Sequence, residues 1–454
     1  MSSVAQPNRQ SARPLPDQPE LERLVQFALD AARRHGADAA ETTLSVDQGL
    51  AASVRRGEVE TIEHRRDRAM AVAVYFGRRK GAASTADFSE RAIEDAVKAA
   101  CDIARYTSED PCQGLADPAH LATAVPDLDL YHPWDLSVDE AIDRAQACEQ
   151  AAFDTDPAID NSDGAEVNSH GGVRVYGNTN GFLHGYPASS HSLSCAVLGR
   201  RGDDMQRDFW YSVSRLPEGL ASAESVGRQA AARTVARLGS RRLGTTTAPV
   251  LFTPQMARSL LAHFVGAISG GNLYRKASFL LDSLGEGVFA ERVNLREQPH
   301  LPQALGSAPF DGEGVATRER ALVEAGVLRG YVLSSYSARQ LGMETTGNAG
   351  GVHNLALEPG DLDYDALVGG LDRGLIVTHL MGQGVNLVTG DYSRGAAGFW
   401  VENGEIAYPV EEITVAGNLR DMFRSFAAVG SDTDIQGNIR TGSILVDRMT
   451  IAGE

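Results

Sequence analysis

Apolar residues recur at helical spacing in several parts of the chain and mark its predicted helices. The first such segment repeats them three and four residues apart and stops at Gly36, as an amphipathic helix does. Two later segments start behind N-capping Ser89 and Ser137, and Glu140 completes a Ser-x-x-Glu capping box with Ser137. Thr253 and Pro254 are typical of a further helix start. The pattern predicts helices over 20–35, 90–106, 138–153, 222–238 and 254–268, the last ended by two glycines at 270 and 271.

Alternation of apolar and polar residues predicts strands elsewhere. From 41 to 85 the alternation is broken by turn residues, which indicates a β-meander of short strands such as 69–76. Alternating runs return at 173–177, 182–198, 208–213 and 249–252. Beyond 271 the chain is rich in glycine, with short alternating segments. These patterns predict an α+β protein with an N-terminal α/β domain and a mainly-β C-terminal domain.

A polar stretch without apolar periodicity, 240–247, separates the two differently patterned halves. The predicted organisation is a disordered tail over 1–19, an N-terminal domain over 20–240 and a C-terminal domain over 248–454. With 454 residues, the chain can bury substantial cores.

The charge balance and the cysteine content indicate which classes of partner are unfavourable and which cellular compartment to expect. Lys and Arg total 42 against 60 for Asp and Glu, and the formal net charge of −18 disfavours nucleic acid and anionic membranes as partners. The four cysteines all lie in the first half, without C-x-x-C spacing, and no apolar run resembles a signal peptide or a membrane span. We therefore expect a cytoplasmic protein.

The residues alone reveal no active site. Of the eleven histidines, the nearest pair, His184 and His191, is separated by an odd spacing that points the two to opposite faces of a strand. The segment 391–395 (DYSRG) has Asp where a nucleophile elbow requires Gly, and 285–290 (GEGVFA) is a turn that does not follow a strand. Catalysis by a carboxylate pair stays open, because convergence in space is invisible in a sequence.

Several long motifs in the second half are similar to those of one known family. They are 309–314 (PFDGEG), 330–339 (GYVLSSYSAR), 346–350 (TGNAG), 389–404 (TGDYSRGAAGFWVENG) and 409–418 (PVEEITVAGN). In the first half, 57–60 (GEVE) and 80–85 (KGAAST) also fit. The chain resembles the TldD/PmbA family of metalloproteases over nearly everything after residue 20.

The resemblance implies two paralogous types that associate as a pair, one with a His-Glu-x-x-x-His zinc motif and one without it. This chain resembles the second type, because His263 occupies the first histidine position while Phe264 and Ile268 replace the general base and the second ligand. The family's third ligand is a late cysteine, and none follows Cys195. The resemblance implies no catalytic residue and no metal in this chain, with zinc expected in a TldD-like partner.

We therefore expect a subunit that helps to degrade or mature small unfolded proteins and peptides. Strand addition is the expected binding mode, with Gly382, Gly384, Asp391 and Tyr392 as candidate peptide-binding residues, although the glycines equally suit tight turns. Whether the chain forms a homodimer when the partner is absent stays open. Two alternatives remain: a stand-alone regulator of a topoisomerase, and a hydrolase with an unrecognised site.

Overall fold

A computed structural model describes residues 15–453, which fall into two compact units. The first unit contains residues 15–108 together with 129–238, and the second contains 109–128 together with 239–453. The segment 109–128, which the sequence analysis placed in the N-terminal domain, therefore belongs to the second unit. Most of the predicted disordered tail lies outside the described residues, and the first helix begins at Gln18, inside the range predicted as tail.

One sheet of six long strands organises the first unit, in the order β3-β2-β1-β4-β5-β6. Its strands are β1 (Ala39–Arg55), β2 (Glu58–Phe76), β3 (Arg79–Thr85), β4 (Ile159–Asn178), β5 (Leu183–Arg201) and β6 (Asp204–Ser214). The predicted meander is present, but the prediction of short strands is wrong, since β2 alone has 19 residues. Neighbouring strands are antiparallel throughout.

Four helices pack on this sheet: α1 (Gln18–Arg34), α2 (Glu90–Tyr106), α3 (Val138–Phe153) and α4 (Ala223–Ala236). Both serine caps are confirmed, with Ser89 accepting from the Ala92 N–H and Ser137 forming the full capping box with Glu140. The long strands carry two separate apolar cores. One includes buried residues of α1 and α2, and the other includes buried residues of α3 and α4.

The second unit is built from short elements. Its helices are α5 (Pro254–Ala267), α6 (Gly270–Tyr274), α7 (Ser335–Leu341), α8 (Tyr364–Gly369) and α9 (Leu419–Arg424). Its strands are β7 (Thr246–Phe252), β8 (Leu295–Glu297), β9 (Arg320–Glu324), β10 (Val327–Leu328), β11 (Leu355–Leu357), β12 (Arg373–Met381), β13 (Asp391–Glu402), β14 (Glu405–Asn418), β15 (Phe426–Val429), β16 (Ile439–Arg440) and β17 (Ile444–Ala452).

Two sheets enclose the main core of this unit. The larger has the order β14-β13-β12-β7-β17-β15 with an additional β14–β17 pairing, and the smaller has the order β10-β9-β8-β11-β16. The core contains α5 side chains such as Leu260 and Phe264, together with β-strand residues such as Trp400. The predicted α+β class is confirmed.

Arg339 of α7 fixes the early segment 109–128 to the rest of the second unit. Its guanidinium donates to the carbonyl oxygens of Cys112 (3.1 Å), Gly114 (2.9 Å) and Leu115. Nearby, the Tyr336 hydroxyl donates to Asp110 at 2.7 Å. Because one side chain satisfies three backbone carbonyls, the segment is a structural part of this unit.

Among residues 15–453, no helix combines the length and the apolar composition of a membrane span.

Candidate functional site

The site suggested by the family motifs lies on α5, directly after strand β7. Proline at the first helical position suits the helix start, while the Thr253 hydroxyl donates to the Val377 carbonyl at 3.2 Å and does not cap the helix. At the other end, Ser269 and Asn272 both donate to the Gly266 carbonyl, at 2.9 and 2.8 Å. The predicted glycine stop is wrong, because Gly270 and Gly271 begin α6. The predicted helix end is confirmed, since Ile268 is the C-cap residue, with side chains of Ser269 and Asn272 satisfying the terminal carbonyl.

Two of the three motif positions on α5 are core positions. Phe264 is fully buried, with its ring 4.9 Å from that of Phe289 and 6.1 Å from that of Phe423, both edge-on. Ile268 is also fully buried. Edge-to-face aromatic packing of this kind stabilises a core beyond the area that it buries. Neither side chain carries a group that can bind a metal or move a proton.

The third motif position, His263, is half-buried beside Tyr392. The two rings are 6.1 Å apart in an edge-on arrangement. Burial, together with the positive charge of Arg394, lowers the pKa of His263 and keeps its ring neutral at neutral pH. Among the described residues, neither the His263 Nε2 atom nor the Tyr392 hydroxyl has a hydrogen-bond partner, although both atoms are buried. Burial also raises the pKa of Tyr392. His263 and Tyr392 thus form a contact between two neutral rings, and each ring carries one buried polar atom without a hydrogen-bond partner.

Asp391 and Tyr392 are the first residues of β13, and Gly382 and Gly384 lie in the loop that precedes it. Gly384 pairs with the chain itself, since its carbonyl accepts from the Ser393 N–H at 2.7 Å, and a Cβ there would lie 1.8 Å from the Ser393 carbonyl oxygen. Gly382 has a φ of +78° and open space around it. Asp391 accepts from the Thr389 hydroxyl at 2.6 Å. The peptide-binding role of these residues stays a prediction.

The structure brings His263 and Tyr392 together, which sequence reasoning missed. The two residues lie far apart in the chain, and no motif spacing connects a helix position with a strand start. Ser393, in the segment that imitates a nucleophile elbow, lies within strand β13 opposite Ala416. Across residues 15–453, no three His, Cys, Asp or Glu side chains converge to form a metal-binding group.

Comparison with domain models identifies the class of this two-unit α+β chain as that of the metallopeptidase-like proteins. Domain models of the PmbA/TldA metallopeptidases match three successive regions: domain 1 over 40–104, the central domain over 131–238 and the C-terminal domain over 245–453. The chain belongs to the PmbA/TldD metallopeptidase family. The resemblance seen in the sequence motifs is thereby confirmed.

Named relatives support this membership. Metalloprotease PmbA of Escherichia coli O157:H7 and a PmbA homolog of Haemophilus influenzae are each 49% identical to this chain, over 96% of both chains. A TldD homolog of the same Haemophilus influenzae strain is 24% identical over 53% of this chain and 51% of its own. The high coverage by the first two shows that the relation extends over both units.

Solved structures show the same fold. A candidate modulator of DNA gyrase from Bacteroides thetaiotaomicron superposes with a TM-score of 0.91 at 29% identity, covering 96% of this chain and 99% of its own. TldE from Thermococcus kodakarensis superposes with a TM-score of 0.84 at 22% identity, covering 95% and 100%, and at that identity it shows the fold alone.

Proposed function

We propose that this chain is the zinc-less subunit of a PmbA/TldD-type metalloprotease pair. It would join a TldD-like subunit that carries the zinc, and together they would degrade or mature small unfolded proteins and peptides. Family membership supports the link to proteolysis. The composition of α5 supports the assignment to the zinc-less type.

The observation that carries the proposal is the burial of Phe264 and Ile268 in the core beside a single histidine. Zinc sites in enzymes use three protein ligands, and the general base beside them must reach the metal-bound water. Here the base position is a phenyl ring and the second ligand position is an aliphatic side chain, both pointing into packed apolar surroundings. His263 alone supplies one ligand, which is too few to hold and activate the metal.

Pairing with a second type of subunit is supported by the relatives. Haemophilus influenzae contains both a PmbA homolog close to this chain and a separate TldD homolog. If one organism keeps both chains, the zinc chemistry of a TldD-like chain is available to complement a chain without ligands. The pairing is therefore part of the proposal.

Reconstitution tests the proposal directly. The full chain, a TldD-like subunit from the same organism and their mixture would each be incubated with a fluorescently labelled unfolded casein, and bound zinc would be measured by mass spectrometry. We expect zinc in the TldD-like subunit, none at stoichiometric level in this chain, and hydrolysis only by the mixture. Chelator-sensitive hydrolysis by this chain alone would refute the assignment.

A matched variant separates a subunit role from a hidden metal role. His263→Gln in this chain should leave the activity and the zinc content of the mixture unchanged, because the imidazole is not a ligand. A loss of zinc in that variant would show that His263 contributes to the metal site, and the zinc-less assignment would fail.

A second candidate function is regulation of a topoisomerase, because the structurally similar Bacteroides protein is a candidate modulator of DNA gyrase. Affinity purification of the full chain from its own cells distinguishes the two. A stoichiometric TldD-like chain supports the subunit role, and a gyrase subunit in its place supports the regulator. Hydrolysis by the isolated chain that persists in chelator would instead indicate an unrecognised hydrolytic site.

A further inference from the structure

A cleft lies on the helix-bearing face of the large sheet, between the two apolar cores of the first unit. On β1, Leu44 belongs to one core and Ala52 to the other. Gln48 and Leu50 lie between them and point to the same face, because alternate residues of a strand share a face. The cleft above them has a volume of about 80 Å³, which is room for several water molecules or one small ring. We call it the aromatic cleft.

Two basic side chains stand at the open rim of the aromatic cleft. The strand register places Arg66 and His64 of β2 directly beside Gln48 and Leu50, on the same face. Among the described residues, β3 pairs only with 70–76 of β2, so no strand covers this side. Both side chains are exposed, and in the described part of the chain neither makes a hydrogen bond or an ion pair. They are therefore available to a ligand.

The opposite wall, residues 131–134, is fixed by buried polar groups. His191, which is 1% exposed, donates from Nε2 to the His132 carbonyl at 2.9 Å and accepts from the Ser169 hydroxyl at 3.1 Å. The buried Ser189 hydroxyl accepts from the His132 N–H at 2.8 Å. The Trp134 ring then packs edge-on against the His191 ring at 5.4 Å. Because the wall is already ordered, a ligand loses little affinity to ordering it.

Tyr131 forms the other aromatic surface of the cleft. Gly171 of β4 leaves room for its ring, since a Cβ there would lie 3.3 Å from the Tyr131 Cε2 atom. Burial raises the pKa of Tyr131, so its hydroxyl stays a protonated donor. Across residues 15–453, neither this hydroxyl nor the Trp134 indole N–H has a hydrogen-bond partner. The cleft thus offers two aromatic rings that each carry an unused donor.

The charge around the cleft favours an anion. The chain has 60 acidic and 42 basic residues, yet none of the described residues that line the cleft is Asp or Glu. The nearby acidic residues Asp47 and Asp67 oppose each other on the other face of the sheet. A guanidinium binds a carboxylate through two parallel hydrogen bonds, and aromatic side chains stack on flat rings. A ligand that carries both groups matches the cleft.

We propose that the aromatic cleft binds a small aromatic carboxylate, with its ring against Trp134 and Tyr131 and its carboxylate on Arg66 and His64. Two sources share this chemistry: a free aromatic acid, and the C-terminal aromatic residue of a peptide. The site involves residues of the first unit only. It does not depend on the proposed protease pairing, and its failure would leave that proposal unaffected.

Titration of the full chain with phenylacetate and with its neutral amide, phenylacetamide, followed by ligand-observed NMR, tests the proposal. We expect the acid to bind about 10-fold more tightly than the amide, and Arg66→Ala to remove that difference, because the charge-assisted hydrogen bonds are lost. Trp134→Leu should weaken both ligands. Arg91→Ala is the matched control, since it removes an arginine that is 93% exposed on α2, and it should change neither affinity.

A second variant tests the location without changing any charge. Gly171→Leu fills the cleft and should abolish binding of both ligands, while an unchanged melting temperature shows that the chain is folded. No binding of phenylacetate at millimolar concentration, equal binding of acid and amide, or binding that survives Gly171→Leu in a folded chain overturns the proposal.

The source of the ligand is distinguished with the peptide glycyl-glycyl-phenylalanine. Tighter binding of this peptide than of phenylacetate, lost when its C-terminus is amidated, identifies a peptide end as the ligand. Weaker binding of the peptide than of phenylacetate identifies a free aromatic acid.

Discussion

Phe264→Glu introduces the general-base residue that the motif resemblance implies for the zinc-bearing type, and we expect it to destabilise the second unit. Removing the buried ring from its contacts with Phe289 and Phe423 costs about 3–5 kcal/mol, as Phe→Ala changes in cores do. Burying a carboxyl without a partner adds at least ~1 kcal/mol. The sum of at least about 4 kcal/mol is a large part of the 5–15 kcal/mol that typically stabilises a domain.

Urea denaturation measures this effect. Trp400 is buried in the second unit, while Trp134 and Trp210 lie in the first, so single-tryptophan variants report on each unit separately. Ala262→Glu is the matched control, because it puts the same carboxylate on an exposed position of the same helix, where we expect a change below ~0.5 kcal/mol. A Phe264→Glu chain that loses less than about 1 kcal/mol, or that gains stoichiometric zinc, would show that this position is not a committed core position.

Three further predictions concern single polar groups. Tyr392→Phe should raise the unfolding free energy by about 1 kcal/mol, since it removes a buried hydroxyl that has no partner among the described residues; a clear loss in melting temperature would indicate an unseen partner. The buried Glu149 carboxylate accepts from the backbone N–H groups of Arg56 (2.8 Å) and Gly57 (2.7 Å) between β1 and β2, so Glu149→Gln should cost about 1–3 kcal/mol and speed exchange of one of these two amide protons, because one N–H loses its acceptor; unchanged exchange of both would contradict these hydrogen bonds. Burial raises the pKa of Asp311 from 3.8 to about 6, so protonation favours the folded chain. The free energy of unfolding should therefore gain up to about 3 kcal/mol from this group as pH falls from 7 to 4, and Asp311→Asn should remove that gain; parallel pH curves would refute it.

Local signals predicted the five longer helices well, but they missed the short helices α6 to α9 and most strand lengths. Ser89 and Ser137 fix their helix starts through side-chain hydrogen bonds that depend on nearby residues only. The extent of β2 was missed because residues 58–69 are exposed on both faces, so that no alternation of apolar and polar side chains marks them. Gly270 was predicted to stop a helix. In the structure it is glycine for another reason, because a Cβ at this position would lie 2.3 Å from the Ser337 hydroxyl oxygen.

For the candidate site, too, the sequence predicted local features but not contacts between distant residues. Family motifs located His263, Phe264 and Ile268, but burial of the last two could be established only from tertiary packing. The contact between His263 and Tyr392 depends on where β13 passes α5, which is a property of strand order in the sheet. The spacing of residues along the chain does not predict contacts between distant elements such as α5 and β13.

The three carbonyls held by Arg339 have a consequence for how the protein is made. During synthesis, residues 109–128 leave the ribosome well before α7 is translated, and no arginine is yet available to bind them. They therefore stay solvated while the strands of the first unit that follow them in the chain, β4 to β6, are translated. The second unit therefore finishes folding only after translation has passed residue 339, and a ribosome stalled before that point should leave this early segment accessible to protease.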